Sequence, residues 1–238
     1  GEQQLLLHCH LPGTFNLVNT AMAAVTLLQL GYAASEVERA MALEPVVPGR
    51  MERVLGGPDD PRCVVDYAHT PEAVDAALAA LRPSTAGRLV VVLGAGGDRD
   101  TGKRAAMGAA GARWADDLIV TDDNPRSEDP AVIRDQVLAG ARSVLPADPD
   151  GTTSARSLFS SDAGRAAHIE RAVRLAREQG RPGDNTVVVL GKGHETGQDI
   201  GGTGHPFDDR DALAAALRGA PYRPEGNDSG HVMTKGEL

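Results

Sequence analysis

The fold of this chain is decided by residues 89–108, LVVVLGAGGDRDTGKRAAMG, where an unbroken apolar run leads into a glycine-rich turn and a helix-forming segment. A valine-rich run of this kind is typical of a strand buried on both faces of a parallel sheet. Helical patterns separate it from three similar runs: RCVVDY at 62–67, DDLIVTDD at 116–123 and TVVVLGKG at 186–193. The alternation predicts an α/β fold, a Rossmann-like and mostly parallel sheet with helices on both faces.

The glycine-rich turn resembles a phosphate-binding loop, because residues 97–103 have the GxxxxGK spacing. Such a loop continues with a Ser or Thr hydroxyl that holds a metal ion, but Arg104 stands at that position. In addition, the carboxylates of Asp98 and Asp100 would repel a bound polyphosphate. We therefore interpret the turn as a strand-to-helix loop that receives a ligand carrying both signs of charge.

Composition and charge narrow the classes of protein to consider. The chain has 238 residues, 41% hydrophobic and 24% charged, which is ordinary for a folded globular protein. A formal net charge of -9 and a pI near 5.2 argue against nucleic acid or an anionic membrane as the main partner. Cys9 and Cys63 form neither a disulfide framework nor a metal motif, and no apolar run approaches membrane-spanning length, so we expect a cytoplasmic protein.

The prolines of EPVVPGR predict a domain boundary at about residues 45–48. Before it we predict a strand-like start, an apolar helix ending near Gly31, and a short helix with Ser35 as its N-cap and Glu38 three residues later. The segment after Pro221 is polar and aperiodic, which indicates a flexible tail. The predicted domains are residues 1–47, 48–222 and 223–238.

Unusual polar residues are concentrated in the loops that follow the four strands, where open parallel sheets bind their ligands. Arginine holds a carboxylate with two parallel hydrogen bonds, and a carboxylate holds an ammonium group. Together these loops could receive a ligand with two carboxylates and an ammonium group. The alternative is that these residues bind no ligand and have structural roles only. They would then form surface ion pairs and an Asx turn, and Asp129 would cap a helix. The candidate residues are Arg99, Asp123, Asn124, Arg126, Gly191 and Glu195.

Two further groups of polar residues stand apart from these loops. Asp66 and His69 lie between the first strand and its helix, where a histidine binds phosphate or, more commonly, packs against its neighbours. Asn16 and Asn19 share one face of an apolar helix, which suggests a satisfied polar contact or a ligand. A dinucleotide-dependent oxidoreductase remains an alternative, but Arg99 stands where the GxGxxG fingerprint needs glycine.

The segments GTFNLVNTAMAA, VPGRMERV, VVDYAHTPEAV, VVLGAGGDRDTGKR, TDDNPRSEDP and VVLGKGHETGQ resemble, in order and spacing, the C-terminal half of the Mur ligases. The resemblance runs from about residue 13 to about residue 218, and DNPR with GKGHE is specific for the members that add diaminopimelate. It implies an amino-acid-binding C-terminal domain at 48–222, preceded by the helical end of the central ATP-binding domain at 1–47. The family's P-loop and UDP-binding domain are not in this sequence, so we expect no activity from this fragment alone.

The resemblance also implies a reaction and a site. These ligases use ATP and Mg²⁺ to join meso-diaminopimelate to UDP-MurNAc-L-Ala-D-Glu through an acyl phosphate. From the position of PVVPGR between the two predicted domains we expect, in addition, that rotation about this segment closes the site. Arg99, Asp123, Asn124, Arg126, Gly191 and Glu195 match the diaminopimelate pocket, in which the arginine of DNPR distinguishes diaminopimelate from lysine. Asn16, Asn19, Arg50, Asp66 and His69 match the ATP side, and no catalytic or metal-binding residue is assigned. A lysine-adding ligase and a stand-alone amino-acid-binding module remain alternatives.

Overall fold

The structure is a computed structural model that describes residues 4–43, 47–145 and 157–224. The chain divides into two compact units, Gly1–Val47 and Pro48–Leu238, and each is described by itself. Half of the predicted PVVP linker, residues 45 and 46, lies outside the described residues, as does most of the predicted tail, residues 225–238. No helix in the described ranges has both the length and the apolar content needed to cross a bilayer.

The first unit consists of two helices, α1 at Thr14–Gln29 and α2 at Ala34–Met41. The predicted strand-like start is wrong, because residues 4–10 form no strand. The predicted cap of α2 is also wrong. Ala33 is the N-cap, and the Glu36 carboxylate accepts a hydrogen bond from its backbone N–H at 2.9 Å, which places Ser35 inside the first turn. Glu38 instead accepts from the backbone N–H of Leu6 at 2.8 Å.

The second unit is built on a six-stranded sheet with the order β1-β2-β6-β3-β4-β5, in which β1 is antiparallel to β2 and the other neighbouring pairs are parallel. A separate antiparallel hairpin is formed by β7 and β8. The strands are β1 Glu52–Val54, β2 Arg62–Asp66, β3 Leu89–Ala95, β4 Asp117–Asp122, β5 Ser157–Ser160, β6 Thr186–Leu190, β7 Gly197–Ile200 and β8 Thr203–Pro206. The helices are α3 Pro71–Leu81, α4 Lys103–Trp114, α5 Pro130–Val144, α6 Arg165–Glu178 and α7 Asp209–Leu217.

The central strand β3 shows why the sheet is covered on both sides. All seven of its residues are buried, and successive side chains point to opposite faces. Val91 and Leu93 belong to the core that α3, α4 and α5 cover, whereas Val90 and Val92 belong to the core under α6 and α7. The fully apolar run therefore follows from burial on two faces, and the predicted Rossmann-like fold is confirmed.

Four elements of the second unit were not predicted: the edge strands β1 and β5, the β7–β8 hairpin and helix α7. The two edge strands are three and four residues long, too short to show an alternating pattern. The hairpin sequence GQDIGGTGHP is polar and rich in glycine, which gives no strand signal.

Cys63 lies in the core on β2, where burial raises the pKa of its thiol to about 12, so its role is packing.

Helices α4 and α5 approach each other closely because glycines face the neighbouring backbone. A β-carbon added at Gly140 of α5 would lie 1.8 Å from the carbonyl oxygen of Ala105 on α4. A β-carbon added at Gly108 of α4 would lie 1.9 Å from the carbonyl oxygen of Val137. Since real atoms do not approach so closely, neither glycine can gain a side chain unless the helices separate.

We expect Gly140→Ala to lower the free energy of unfolding by about 1–3 kcal/mol, because overpacking outweighs the better helix propensity of alanine. The control is Gly183→Ala, whose added β-carbon meets nothing within 4 Å and which should change stability by less than about 0.5 kcal/mol. Urea unfolding followed by circular dichroism measures both. Equal stability of the two variants would contradict the close helix packing.

Candidate functional site

One cavity of about 430 Å³ lies where the strands of the second unit end. The loops after β2, β3, β4 and β6 contribute to its wall, because these strands are consecutive in the sheet and point the same way. All six residues predicted to bind the amino acid line it: Arg99, Asp123, Asn124, Arg126, Gly191 and Glu195. Tyr67, His69, Asp100 and Lys103 line it as well.

Arg126 is held in an unusual backbone conformation by the β7–β8 hairpin. Its φ of 54° is in the left-handed region, and its N–H donates to the carbonyl oxygen of Asp199 at 2.9 Å. Its own carbonyl oxygen accepts from the N–H of Gly201 at 2.6 Å, so Arg126 pairs with the hairpin like a short strand. The guanidinium Nη1 donates to the carbonyl oxygen of Gly97 at 2.6 Å, which directs the side chain toward the loop after β3.

Asp123 contributes a carboxylate to the buried wall of the cavity. Its side chain accepts no hydrogen bond from any residue that the structure describes, although its carbonyl oxygen accepts from Gln198 Nε2 at 2.6 Å. Gly191 has a φ of 116°, and a β-carbon there would lie 2.5 Å from Asp123 Oδ2. Glycine at 191 therefore leaves room for this carboxylate, which is available to an ammonium group.

Glu195 and Asn124 form a hydrogen-bonded group with Lys192. The Lys192 ammonium donates to Asn124 Oδ1 and to Glu195 Oε2, both at 3.0 Å, and Asn124 Nδ2 donates to the same Glu195 oxygen at 2.9 Å. Burial raises the pKa of Glu195, but the Lys192 charge, these hydrogen bonds and the Arg126 charge together hold the pKa below its ordinary value. Glu195 is therefore an anion inside the cavity.

Arg104, which stands at the hydroxyl position of the P-loop pattern, fixes the loop after β3. The Arg104 side chain is fully buried, and its guanidinium donates to both Glu128 oxygens at 2.9 and 2.8 Å and to the carbonyl oxygen of Gly96 at 3.1 Å. The Arg104 hydrogen bonds and the backbone N–H of Asp98 lower the pKa of Glu128 to about 2. Arg104 therefore joins two loops of the site and does not take the place of a metal-binding hydroxyl.

Arg99, on the same loop, has an exposed side chain. No described residue forms a hydrogen bond or ion pair with its guanidinium, although it lines the cavity. Asp98 is used differently, since its carboxylate accepts from the Ser127 hydroxyl at 2.7 Å and from the Ser127 N–H at 3.2 Å. Asp98 therefore joins its loop to Ser127, while Arg99 is available to a ligand.

A buried ion pair lies behind the cavity between α6 and α7. Arg165 and Asp209 have no exposed side-chain surface, and the guanidinium donates to the two carboxylate oxygens at 2.6 and 2.7 Å. The same guanidinium donates to the carbonyl oxygens of Asp122 at 3.1 Å and Leu190 at 2.9 Å, the last residues of β4 and β6. Arg165 thereby fixes the two strand ends from which the site loops start. No sequence pattern indicates this pair, since its members are 44 residues apart.

The residues predicted for the nucleotide side are found in both units. In the second unit, the Arg50 guanidinium lies 4.6 Å from the centre of the Tyr67 ring, and the His69 ring lies 4.6 Å from it. Asp66 is buried, and its oxygens accept from the backbone N–H groups of Met51 at 2.8 Å and Ala68 at 2.9 Å. Burial raises the pKa of Asp66 although these two amides and Arg50 oppose the rise.

Asn16 and Asn19 lie in the first unit, where both line a separate cavity of about 380 Å³. Asn16 Nδ2 donates to the carbonyl oxygen of Pro12 at 2.7 Å. This hydrogen bond satisfies the Asn16 amide nitrogen, so that group needs no ligand. In the ranges that the structure describes, no three His, Cys, Asp or Glu side chains are grouped as a metal site.

The chain is similar to known proteins over most of its length. The family model described as Mur ligase, glutamate ligase domain, matches residues 49–193. The UDP-N-acetylmuramoyl-L-alanyl-D-glutamate–2,6-diaminopimelate ligase of Streptomyces avermitilis is 47% identical over 218 residues, which are 91% of this chain and 40% of that protein. The enzyme of the same name from Streptomyces coelicolor is 50% identical over 208 residues, 87% of this chain and 38% of that protein.

A solved structure of a ligase with this name superposes with a TM-score of 0.59 at 32% identity, covering 90% of this chain and 40% of that one. The chain therefore spans about 40% of the length of the relatives that it matches.

We expect Arg165→Met to lower the free energy of unfolding by about 3–5 kcal/mol, because it leaves the Asp209 carboxylate buried without a partner. The matched control is Arg113→Met, which breaks an exposed pair with Asp75 and should cost less than about 1 kcal/mol. Denaturant unfolding measures both, and Arg165→Met with Asp209→Asn should recover part of the loss. If Arg165→Met costs no more than the control, the pair does not brace the strand ends.

Proposed function

Because the chain belongs to the Mur ligase family, we propose that it is the C-terminal part of a MurE-type ligase, which joins meso-diaminopimelate to UDP-MurNAc-L-Ala-D-Glu in cytoplasmic peptidoglycan synthesis. In this proposal residues 48–222 are the amino-acid-binding domain and residues 1–47 the end of the central ATP-binding domain. The rest of the enzyme would be the partner that carries the P-loop and the UDP site. The high identity to two diaminopimelate ligases supports this assignment.

The observation that carries the proposal is the pairing of opposite charges in one cavity. Arg99 and Arg126 present two guanidinium groups, and Asp123 and Glu195 present two carboxylates. Meso-diaminopimelate has two carboxylates and two amino groups, so its charges can be matched at both ends. Lysine has only one carboxylate, so it would lose the charge-assisted hydrogen bonds that a second carboxylate makes with the other guanidinium.

In the proposed reaction this chain binds and orients the incoming amino acid. ATP supplies the phosphoryl group that activates the γ-carboxylate of the D-glutamate as an acyl phosphate. The amine of the bound diaminopimelate then attacks that carbonyl carbon, phosphate leaves, and the nitrogen loses a proton as the amide forms. The cavity would hold the far end of diaminopimelate through Arg126 and so direct the near amine outward, which raises the rate by orientation.

We assign the nucleotide side to the group around Tyr67. Arg50 and His69 would contact ATP, as would Asn16 and Asn19 in the first unit. Asp66 would act indirectly, because its oxygens already hold the backbone of Met51 and Ala68. Mg²⁺ would be held mainly by the rest of the enzyme, which carries the P-loop in this proposal.

The remaining alternatives make different demands on the cavity. The family membership gives no support to an oxidoreductase. A lysine-adding ligase needs no second guanidinium, and the presence of both Arg99 and Arg126 favours diaminopimelate. A stand-alone amino-acid-binding module would use the same pocket but would have no need for the residues that we assign to ATP, such as Arg50 and His69.

We expect this chain to bind meso-diaminopimelate more tightly than L-lysine, with Arg126→Ala weakening diaminopimelate binding by about 2–5 kcal/mol and leaving lysine binding nearly unchanged. Isothermal titration calorimetry measures both ligands. The control Arg113→Ala removes an exposed arginine of α4 and should bind like the wild type. Equal affinity for the two amino acids would contradict the assignment. If neither binds, the same titration of the full-length polypeptide decides between a pocket that needs the other domains and a wrong assignment.

A further inference from the structure

Lys192 is a charged residue inside the protein that the proposed function leaves unassigned. It follows β6 directly, and its side chain has no exposed surface. Only Lys103, Lys192 and Lys235 of the chain's 24 basic residues are lysines. A buried ammonium group is costly unless it is paired and hydrogen-bonded. The contacts of Lys192 therefore indicate what this charge does.

Its two acceptors are both residues of the amino-acid pocket. Lys192 Nζ donates to Asn124 Oδ1 and Glu195 Oε2 at 3.0 Å, and Asn124 Nδ2 closes the triangle by donating to Glu195 Oε2 at 2.9 Å. Because the ammonium group can only donate, it fixes Asn124 with its oxygen toward Lys192 and its nitrogen toward Glu195. The backbone N–H of Asp199 also donates to that amide oxygen, at 3.0 Å.

The same triangle leaves one half of the Glu195 carboxylate unused. Both donors use Oε2, and Oε1 accepts no hydrogen bond from the described residues. Glu195 lines the cavity, and its side chain keeps 35% of its surface exposed. A carboxylate held rigidly by one oxygen can offer the other oxygen to an ammonium group without losing rotamer freedom on binding.

We propose that Lys192 is a positioning residue that fixes Asn124 and pairs with Glu195 Oε2, so that Glu195 Oε1 is presented to an ammonium group of the incoming amino acid. This inference rests on the proposed function, because it assumes an amino-acid ligand in the same cavity. Lys192 itself, being fully buried behind these two residues, does not contact that ligand.

The charges around Glu195 make the inference testable. Burial acts to raise the pKa of Glu195, and the positive charges that oppose burial are Lys192 and Arg126. Arg165 lies behind the site and also interacts electrostatically with Glu195 and with Asp123, the other carboxylate of the cavity. Without Lys192, burial would have the larger influence, and the pKa of Glu195 should rise. As the pH falls, the Glu195 carboxylate of such a variant would become protonated at a higher pH than in the wild type.

The first experiment measures this charge without any ligand. The Glu195 carboxyl carbon is followed by NMR in protein labelled with ¹³C-glutamate and is assigned by the loss of its signal in Glu195→Gln. We expect a pKa below the ordinary glutamate value in the wild type and above it in Lys192→Met. An unchanged pKa in Lys192→Met would overturn the proposal, whatever the ligand of the cavity is.

The second experiment measures binding of meso-diaminopimelate by calorimetry between about pH 5 and about pH 8, across the range in which a raised carboxyl pKa takes effect. We expect Lys192→Met to bind about tenfold more weakly at neutral pH and to lose further affinity toward pH 5, where the wild type should hold its affinity. Arg113→Met, at an exposed site on α4, should match the wild type at each pH.

A double variant separates positioning from a general effect on folding. Lys192→Met with Glu195→Gln leaves no unpaired charge, so it should fold even if Lys192→Met does not. If Lys192 acts through Glu195, adding Lys192→Met to Glu195→Gln should change the affinity less than about threefold. An equally large loss in both backgrounds would overturn the proposal. Failure of the wild type to bind in the complete polypeptide would instead refute the proposed function.

Discussion

Burial of the sheet on both faces is the constraint from which the rest of this structure follows. A strand such as β3, with every residue buried, has no position along its length for a charged side chain that must meet a ligand. Chemistry is therefore possible only where the strands end and the backbone leaves the core. Four consecutive parallel strands end at the same edge, and their loops meet in one cavity.

Long-range hydrogen bonds then give these loops a defined shape. Arg104 joins the loop after β3 to the loop after β4 through Glu128, and the β7–β8 hairpin fixes the backbone of Arg126. Arg165 holds the ends of β4 and β6 from behind. The cavity side chains that remain available, Arg99 and Asp123, are thus presented by a rigid frame. This arrangement favours a small zwitterionic ligand whose charges must be matched at fixed distances.

Much of this could be predicted from the sequence, because the signals are local. The four apolar runs and the helices after them are visible as patterns, and the rule that parallel sheets bind ligands at their carboxyl ends brings Arg99, Arg126 and Glu195 together. The predicted cap of α2 was wrong because serine is generally a better N-cap than alanine, which favoured Ser35. In the structure the helix starts earlier, since the Glu36 carboxylate accepts a hydrogen bond from the backbone N–H of Ala33.

The residues that support the site were not predictable in the same way. Arg165 meets Asp209, and Lys192 meets Asn124, only in the completed sheet. Nothing local distinguishes Arg165, Asp209 or Lys192 from surface residues. The hairpin at Gly197–Pro206 is formed by residues that give no strand signal, and its bridge to Arg126 joins residues more than seventy positions apart.

The strand order has a consequence for how the chain folds. Strand β6 lies between β2 and β3, although more than a hundred residues of sequence separate it from β2. Before residues 186–190 are in place, β2 and β3 have no common neighbour, and the sheet exists as two unconnected parts. Such distant pairing slows folding, since a long loop must close before the contact is gained. During synthesis the β3 edge that pairs with β6 stays unpaired until residues 186–190 emerge from the ribosome, so the cavity at the strand ends cannot be complete before then.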